Sequence, residues 1–335
     1  KTDKTFKLPL AIDVYNGTEK VRYNVWSNNN VDSFSFNYTK RPDLINVDGD
    51  KIMLWTKKDN KTLDNYIHQY KFAGKYLDRR EAIDFASKQL DDPKAVALLK
   101  TALNDKYEGL RNFAISKVDL KKDPIKNSFE STLLDLTKKD KYATVRAAAI
   151  DKLGDYKKPE YIELFKNAVN DSSYTVAGNA LMALGKSDAA AASAIAKKMS
   201  DKPAKGNLQE AVMNEIVKSG DESMADKIIG DFAKMPLGQA KFQFLNTLST
   251  YLIALKNPEK VKWGVEEIVK LRDGIPENFR NQTDPFINGM VLKGLLSKKS
   301  KQASENTEDA ALQELVNYIK SVMPEADKKG FAPIP

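Results

Sequence analysis

Cysteine is absent from the 335-residue sequence, and histidine occurs only once, as His68. The lack of cysteine excludes disulfides, thiolate metal sites and thiol nucleophiles. A zinc site of the HExxH type is excluded too, because it needs two histidines one helical turn apart. A Ser–His–Asp triad would have to use His68, and no GxSxG element precedes it. The phosphate-binding patterns GxxxxGK(S/T) and GxGxxG do not occur either.

Long hydrophobic runs are also missing, since no apolar stretch approaches the about 20 residues that a membrane span requires. The chain opens with "KTDKTFKLPL", without Met or an apolar h-region, so we expect either a removed leader or a part of a longer protein. With 41% hydrophobic and 30% charged residues, the composition is that of a folded, soluble protein. It leaves the compartment open between cytoplasm and export.

The positive charge is thinly spread. The net charge is +8, and the basic residues are mostly Lys, with only eight Arg. A nucleic-acid binder usually concentrates basic residues in a stripe and uses Arg to reach phosphates and bases. We therefore predict a solvated surface of mixed charge, with neither nucleic acid nor membrane as a partner.

The first 58 residues are predicted to form short antiparallel strands. Apolar residues alternate with polar ones in three segments, 6–14, 21–25 and 34–38, which is typical of half-buried strands. Asn16-Gly17 predicts a hairpin between the first two, and residues 44–55 offer further strand material around a turn. We interpret residues 1–58 as a small antiparallel β-sandwich that is incomplete, its first strands lying upstream of Lys1.

From Thr62 onward the apolar period changes to 3.6, which indicates amphipathic helices. Thr62 is a predicted N-cap for a helix over 62–77, and Asp78 for the next. Asp92-Pro93 predicts a further start, because Pro at the first helical position loses no hydrogen bond; Asp123-Pro124 and Asp284-Pro285 repeat this pattern. We expect an exposed loop at 297–309 and an irregular tail at 324–335.

The helices repeat. "DKYEGLRNFAISKV" (105–118) aligns without gaps on "DKYATVRAAAIDKL" (140–153), and weaker copies follow at 171–185 and 208–221. Helix pairs that recur every 31–35 residues indicate an α-solenoid, in which each pair buries its apolar face against its neighbours. The pattern resembles a HEAT or armadillo-type repeat. The predicted fold is therefore mainly α, with the solenoid spanning 59–323.

Charged residues recur with the repeats. Asp105 and Arg111 of one copy match Asp140 and Arg146 of the next, while the third copy has Ala177 at the Arg position. We interpret them as a ladder in which Asp caps a helix or pairs with the Arg of the same or next repeat. Such a ladder fixes register between repeats more than it adds stability, and it stops at the third copy.

No site for catalysis, metal or cofactor is predicted in this chain. The 46 carboxylates allow many pairs, but no pair stands out, and the acidic run at 47–50 lacks EF-hand spacing. His68 lies beside the apolar stripe of its predicted helix, at its polar side. We expect a boundary or surface residue with a local hydrogen bond. Tyr70 and Tyr76 are expected to be core or interface rings whose hydroxyls reach polar partners.

The stretch "VDGDKIMLWTKKDNKTLDNYIHQYKFAGKYLDRREAI" (47–83) resembles the corresponding junction in bacterial zinc aminopeptidases of the aminopeptidase N family. The resemblance extends to the strands before it and to the helical array after it. That family carries an N-terminal β domain, a catalytic domain with HExxH and a further Glu ligand, a small β-sandwich and a helical C-terminal domain. The catalytic domain has no counterpart here, so the resemblance assigns no catalytic residue to this chain.

The resemblance implies a non-catalytic C-terminal region of such a metallopeptidase, shaping or covering the peptide-access cleft. Its partners would be its own upstream catalytic domain, which would hold the zinc, and the peptide substrate indirectly. The alternative is a stand-alone HEAT-like adaptor that binds a protein partner. A third possibility is a degenerate family member that kept the fold and lost the metal site.

Overall fold

The computed structural model describes residues 5–118, 120, 123–200 and 205–328. These residues fall into two compact units, one up to Ala183 and one from Leu184. The fold is mainly helical, with a small antiparallel sheet at its beginning, as predicted. None of the helices in the described ranges is both long and apolar enough to cross a bilayer. The domain boundaries predicted at residues 58 and 323 remain predictions.

The sheet has three antiparallel strands in the order β2-β1-β3, namely β1 (Leu8–Asn16), β2 (Glu19–Ser27) and β3 (Leu44–Val47). The hairpin is confirmed: Asn16 pairs with Glu19, and Gly17 has a φ of +59°, which glycine adopts without steric cost. The strand predicted at 34–38 is wrong. Its apolar alternation reflects rings that pack on β2, where Phe36 stacks on Tyr23 with a centroid distance of 4.0 Å.

The segment after β3 is irregular where further strand material was predicted. Asp48 and Lys51 both have positive φ values, 56° and 55°, and the Asp48 carboxylate accepts hydrogen bonds from the amides of Ile52 and Met53. This turn uses backbone amides that a further β-strand would need for its hydrogen bonds to the sheet. Residues 50–61 therefore run to the first helix without regular structure.

Helices in two layers complete the first unit. One layer contains α2 (Tyr76–Ala86), α4 (Glu108–Lys117) and α6 (Ala143–Gly154), which contact one another in succession, and the other contains α1 (Leu63–Phe72), α3 (Pro93–Ala102) and α5 (Asp123–Lys139). Fully buried leucine, isoleucine and alanine side chains fill the space between them. The remaining helices up to residue 187 are α7 (Ile162–Ala168) and α8 (Tyr174–Ser187).

The second unit consists of helices that pack on their sequence neighbours, on the next helix but one, or, for α12 with α15 and α13 with α16, on the third helix along the chain. Its helices are α9 (Ala189–Met199), α10 (Gly206–Ser219), α11 (Ala225–Lys234), α12 (Gln239–Ala254), α13 (Pro258–Asp273), α14 (Glu277–Asp284), α15 (Lys293–Glu305) and α16 (Ala310–Ser321). Of the predicted tail, Glu325–Lys328 forms a 3₁₀ turn, and residues 329–335 lie outside the described residues.

Predicted helix starts have mixed outcomes. Thr62 and Asp92 cap α1 and α3 through their side-chain oxygens, as expected. The single helix over 62–77 is wrong, because Gly74, with a φ of +77°, separates α1 from α2. Asp78 is not a cap: α2 begins at Tyr76, and Asp78 lies buried in its first turn. The side chains of Asp123-Pro124 lie outside the described part of the structure.

Asp284-Pro285 does not start a helix. The chain is helical without interruption from α14 through residues 285–292, a π-helical stretch, into α15. Proline lacks the amide hydrogen of the normal i to i−4 bond and its ring crowds the preceding turn, so a wider π-turn accommodates Pro285 inside a helix. The Asp-Pro pattern predicted a helix start here, whereas the chain is helical on both sides of Pro285.

The exposed loop predicted at 297–309 is also wrong for most of its length. Residues up to Glu305 belong to α15, and Lys299 is fully buried on the same face as Leu295 and Ala303. The Lys299 ammonium donates to the carbonyl oxygens of Ile253 at 3.1 Å and Leu255 at 2.6 Å, at the C-terminal end of α12. A lysine thus occupies a buried position of α15 where an apolar residue would have indicated a helix, and its ammonium group is satisfied by carbonyl oxygens at a helix end.

Candidate functional site

An Arg–Asp ladder joins successive helix pairs of the first unit. Arg79, Arg111 and Arg146 pair with Asp105, Asp140 and Asp171 of the following repeat, respectively. Each Asp also accepts a hydrogen bond from a backbone amide two residues later, at the start of a helix. The ladder ends where Ala177 replaces the Arg. The predicted register-fixing role is therefore consistent with the geometry.

The first rung of the ladder lies at one end of a groove. This groove, which we call the α1–α3 groove, has a volume of about 830 Å³ and opens between α1 and α3. Its walls are apolar, with Ile67 on one side and Ala97 and Leu98 on the other. Ligand sites in proteins have this size and this mixture of apolar walls and a few polar groups.

Polar groups converge at the end of the α1–α3 groove. Asp105 accepts a hydrogen bond from the Tyr70 hydroxyl at 2.7 Å and from Arg79 Nη1 at 2.8 Å. Burial and the hydrogen bond to Asp105 raise the pKa of Tyr70, so its hydroxyl stays protonated and remains a donor. Because Asp105 is already satisfied by these partners, the network is a rigid end wall with no nucleophile or free base.

Lysines determine the charge of the same groove. Asp64 and Lys94 at the rim pair with each other at 2.7 Å, and Asp105 is neutralised by Arg79. Lys71 and Lys106 also line the groove, and neither has a carboxylate within ion-pair distance among residues 5–118, 120, 123–200 and 205–328. The groove therefore presents two uncompensated positive charges beside an apolar wall.

A row of Lys-Tyr pairs borders this region. Lys75-Tyr76, Lys106-Tyr107 and Lys141-Tyr142 stand at the starts of α2, α4 and α6, and all six residues are exposed. The tyrosines are 36% to 45% exposed, and the rings of Tyr76 and Tyr107 meet edge to face with a centroid distance of 5.4 Å. We call this row the Lys-Tyr edge.

A second groove lies two helix pairs further along. It has a volume of about 710 Å³ between α5 and α7, and its rim carries both Lys138 and Glu160. Its end residue is Asp171, the ladder partner of Arg146. The repeat therefore produces grooves of similar shape, but only the α1–α3 groove, of these two, has an excess of positive charge.

A buried polar cluster connects the sheet to the first helix pair. Asp78 accepts from Asn46 of β3 at 2.9 Å and binds the Lys51 ammonium at 2.9 Å. Gln69 of α1 donates to the backbone carbonyl of Asp78 and to the Glu81 carboxylate, at 2.9 Å and 2.8 Å. We call these five residues the junction cluster, because they hold β3, the following turn, α1 and α2 together.

Two further lysines extend the junction cluster. Lys61 donates to Gln69 at 2.7 Å and pairs with Asp59 at 2.7 Å, while Lys57 pairs with Asp59 at 2.9 Å. Burial lowers the pKa of Lys61. Lysines and carboxylates alternate throughout, so each charge has a partner and the arrangement is structural rather than that of an acid–base pair.

His68 is half-buried between two rings. Its imidazole lies 4.5 Å from Phe72 and 6.0 Å from Tyr15, measured between ring centroids. The boundary position is as predicted. The local hydrogen bond is not made by Nε2, which is buried without a partner in the described part of the chain. In those same residues, no group of three or more His, Asp or Glu side chains is placed to hold a metal ion.

Sequence reasoning missed the α1–α3 groove and the Lys-Tyr edge. The signal for the edge was visible, because the dipeptide Lys-Tyr occurs at the same point of three consecutive repeats. The groove itself had no comparable signal, since its walls come from two helices whose residues look like ordinary core positions. Tyr70 was predicted to find a polar partner and does so in Asp105; Tyr76 instead packs on Tyr107 at the surface.

Comparison with known proteins supports the repeat assignment. Residues 130–214 match the family of HEAT repeats. No curated protein matches the chain. Among solved structures, human deoxyhypusine hydroxylase in complex with glycerol is similar with 15% identity and a TM-score of 0.33, over 78% of this chain and 95% of that one.

Another similar structure is aminopeptidase A from Legionella pneumophila in complex with aspartic acid. The identity is 12%, the TM-score is 0.47, and the match covers 96% of this chain. The chain spans 44% of the length of that protein.

Proposed function

We propose that this chain is a non-catalytic region of a zinc metallo-aminopeptidase of the aminopeptidase N family. In that role the helical array shapes or covers the peptide-access cleft of a catalytic domain that lies outside this sequence. The proposal is supported by the resemblance of residues 47–83 to the family's junction between sandwich and helices, and by the HEAT-type repeats that follow.

One structural observation carries the proposal. Residues 47–83, on which the resemblance depends, include four of the five members of the junction cluster, and the fifth, Asn46, directly precedes them. A buried network of this kind fixes the angle between the sheet and the first helix pair, because any rotation would leave Lys51 or Asp78 buried without a partner. The junction is thus suited to hold a helical array in a set position relative to a preceding domain.

Such an array contributes size selection and water exclusion, not bond-making. A rigid wall over a cleft admits short peptides or unfolded chain ends and sequesters the reaction from solvent. The residues of this chain do not fit a zinc site: the sequence has one histidine, and the described residues hold no suitable group of ligands. In this proposal the zinc belongs to the catalytic domain of the parent protein.

The test begins with the complete coding sequence. An HExxH motif followed by a Glu ligand about twenty residues later, upstream in the same reading frame, is expected. The full protein should hydrolyse aminoacyl substrates, whereas the present chain should neither bind zinc stoichiometrically nor hydrolyse them. An open reading frame that encodes this chain without a metallopeptidase domain would contradict the proposal.

A second experiment addresses the role of the array. Deletion of the helical region from the full protein, after the junction cluster, should relax the dependence of kcat/KM on peptide length while leaving dipeptide hydrolysis measurable. An unchanged length profile would show that the array does not act on access. A loss of all activity would be followed by adding the present chain in trans, and recovery of the length profile then supports the role.

The second candidate is a stand-alone HEAT-like adaptor. The α1–α3 groove and the Lys-Tyr edge favour it, because they provide a binding surface that needs no other domain. The complete reading frame distinguishes the two candidates, because an adaptor has no upstream metallopeptidase domain. An adaptor should also bind its partner through this chain alone.

A further inference from the structure

The α1–α3 groove combines an apolar wall with unpaired cations. Ile67, Ala97 and Leu98 form the wall, and Lys71 and Lys106 line the same groove. A ligand that buries an apolar group on this wall and brings a carboxylate to the lysines satisfies both features. The end wall of Tyr70, Asp105 and Arg79 offers no free acceptor, so cationic ligands gain no partner there.

The Lys-Tyr edge indicates a ligand longer than the groove. Lys106 lines the groove and also belongs to the edge, which continues to Lys75-Tyr76 on one side and Lys141-Tyr142 on the other. Packed helices lie about 8–10 Å apart, and an extended peptide advances about 3.3 Å per residue. Successive Lys-Tyr pairs are therefore spaced to meet about every third residue of one extended chain.

The tyrosines are held in place for contact. A Cβ on Gly109 would come within 2.7 Å of the Tyr107 ring, so the glycine allows this ring to lie against the first turn of α4. The ring of Tyr107 in turn supports Tyr76. Exposed, immobilised tyrosines provide contact area to a peptide at a small entropic cost.

We propose that the α1–α3 groove and the Lys-Tyr edge together bind an extended acidic peptide segment, which places one apolar side chain in the groove and carboxylates on the lysines. The inference goes beyond the proposed function and does not depend on it, because the site belongs entirely to this chain. The occupant is a polypeptide rather than a small molecule, because the Lys-Tyr pairs continue past the groove.

A single-stranded nucleic acid is the competing occupant, since lysines and aromatic rings also bind phosphates and bases. Two observations favour the peptide. The groove wall is aliphatic, and the Tyr76 and Tyr107 rings meet edge to face at 89°, so they do not form a stack of open faces for successive bases.

The probe is a fluorescein-labelled peptide of repeated Asp-Asp-Leu triplets, titrated with the full chain at low salt and followed by fluorescence anisotropy. Saturable binding is expected, and it should weaken at least about tenfold in Ala97→Trp, which fills the groove, and in the double variant Lys71→Ala/Lys106→Ala. A peptide with Ser in place of Leu should bind more weakly, and one with Lys in place of Asp should not bind.

Matched controls use equivalent exposed positions of the second unit. Ala190→Trp places the same ring on an exposed alanine of α9, and Lys227→Ala/Lys298→Ala removes two exposed lysines; both should leave the affinity unchanged. The proposal is overturned if the wild-type chain shows no saturable binding up to about 1 mM peptide. It is equally overturned if Ala97→Trp binds like wild type, or if a single-stranded oligonucleotide of equal charge binds more tightly than the peptide.

Discussion

Arg111 holds Asp140 of the next helix pair with two parallel hydrogen bonds, from Nε to Oδ2 at 2.7 Å and from Nη2 to Oδ1 at 2.8 Å. The two side chains are only 9% and 5% exposed, whereas those of Arg146 and Asp171 are 21% and 24% exposed and joined by one contact of 3.4 Å. The ladder therefore weakens from this pair toward the repeat in which the Arg is lost.

Arg111→Met should lower the free energy of opening of the first unit by about 3 kcal/mol, because it leaves the Asp140 carboxylate buried without its cation. The measurement is native-state hydrogen exchange of the amides in α4 and α6. The pair is not itself a large source of stability, so Arg111→Met/Asp140→Leu should recover part of the loss.

Arg146→Met is the matched control for the ladder. Because this pair is more exposed and its geometry is looser, the expected loss is about 1 kcal/mol or less. Equal losses for Arg111→Met and Arg146→Met would contradict the inferred gradient. If the double variant Arg111→Met/Asp140→Leu lost as much stability as Arg111→Met and Asp140→Leu added together, Arg111 and Asp140 would not interact.

The sequence predicted this ladder in part. Asp105, Asp140, Arg111 and Arg146 stand out because two copies of the repeat align without gaps. Arg79 does not, because it follows Tyr76 by three residues where Arg111 follows Tyr107 by four. Alignment selects Arg80 instead, and in the structure Arg80 lies over the Phe113 ring at 4.4 Å. A shift of one residue at a helix start moves a side chain by about 100°, and sequence alone does not show it.

Elsewhere, prediction failed where packing overrides local signals. The repeats and the hairpin are periodic or depend on one turn, so they could be predicted. Lys299 and Pro285 each carry a signal for a loop or a boundary, and tertiary contacts reverse both. The α1–α3 groove could not be predicted, since it depends on the distance between two helices rather than on any residue pattern.

Lys299→Met tests the buried lysine through pH. Burial lowers the pKa of Lys299 to about 8, below its usual value near 10.5. Between these values the unfolded chain binds more protons than the folded one, so the contribution of Lys299 to the free energy of unfolding rises with pH. The unfolding free energy of wild type relative to Lys299→Met should therefore increase by about 2 kcal/mol from pH 7 to pH 10.

Chemical denaturation of both proteins at the two pH values measures this difference. Taking the difference cancels the tyrosines, whose raised pKa values act in the opposite direction and are common to both proteins. Lys298→Met, on the exposed side of the same helix, should show no such change. A difference between wild type and Lys299→Met that is constant from pH 7 to pH 10 would contradict the lowered pKa.

Asp78→Ala should disrupt the junction cluster. The variant leaves Asn46 without its acceptor. Lys51, whose side chain is only 6% exposed, loses its carboxylate partner at 2.9 Å and keeps the second one, that of Glu81, at 3.7 Å. The expected loss is about 3 kcal/mol, and it should appear first as lost hydrogen-exchange protection in β3 (Leu44–Val47). This local effect follows from the position of Asn46 on that strand.

Asp135→Ala serves as the comparison, because Asp135 forms an exposed ion pair with Lys139 four residues later on α5. A surface pair of this kind contributes at most about 0.5 kcal/mol. If Asp78→Ala and Asp135→Ala changed exchange in β3 to the same small extent, the junction cluster would not be what connects the sheet to α1 and α2.

Gly220→Ala should destabilise the second unit. Gly220 ends α10 with a φ of +61°, and a Cβ there would lie 2.5 Å from the backbone carbonyl of Ala254, which cannot move without disturbing the end of α12. The left-handed conformation costs alanine about 1 kcal/mol, and the clash adds about 1–3 kcal/mol.

Gly230→Ala provides the opposite case, because Gly230 lies inside α11 with open space around its Cβ position. This variant should gain about 0.5–1 kcal/mol of stability. Thermal unfolding of the three proteins measures both effects. A melting temperature that falls by the same amount in both variants would mean that loss of a glycine, and not the contact between Gly220 and Ala254, sets the result.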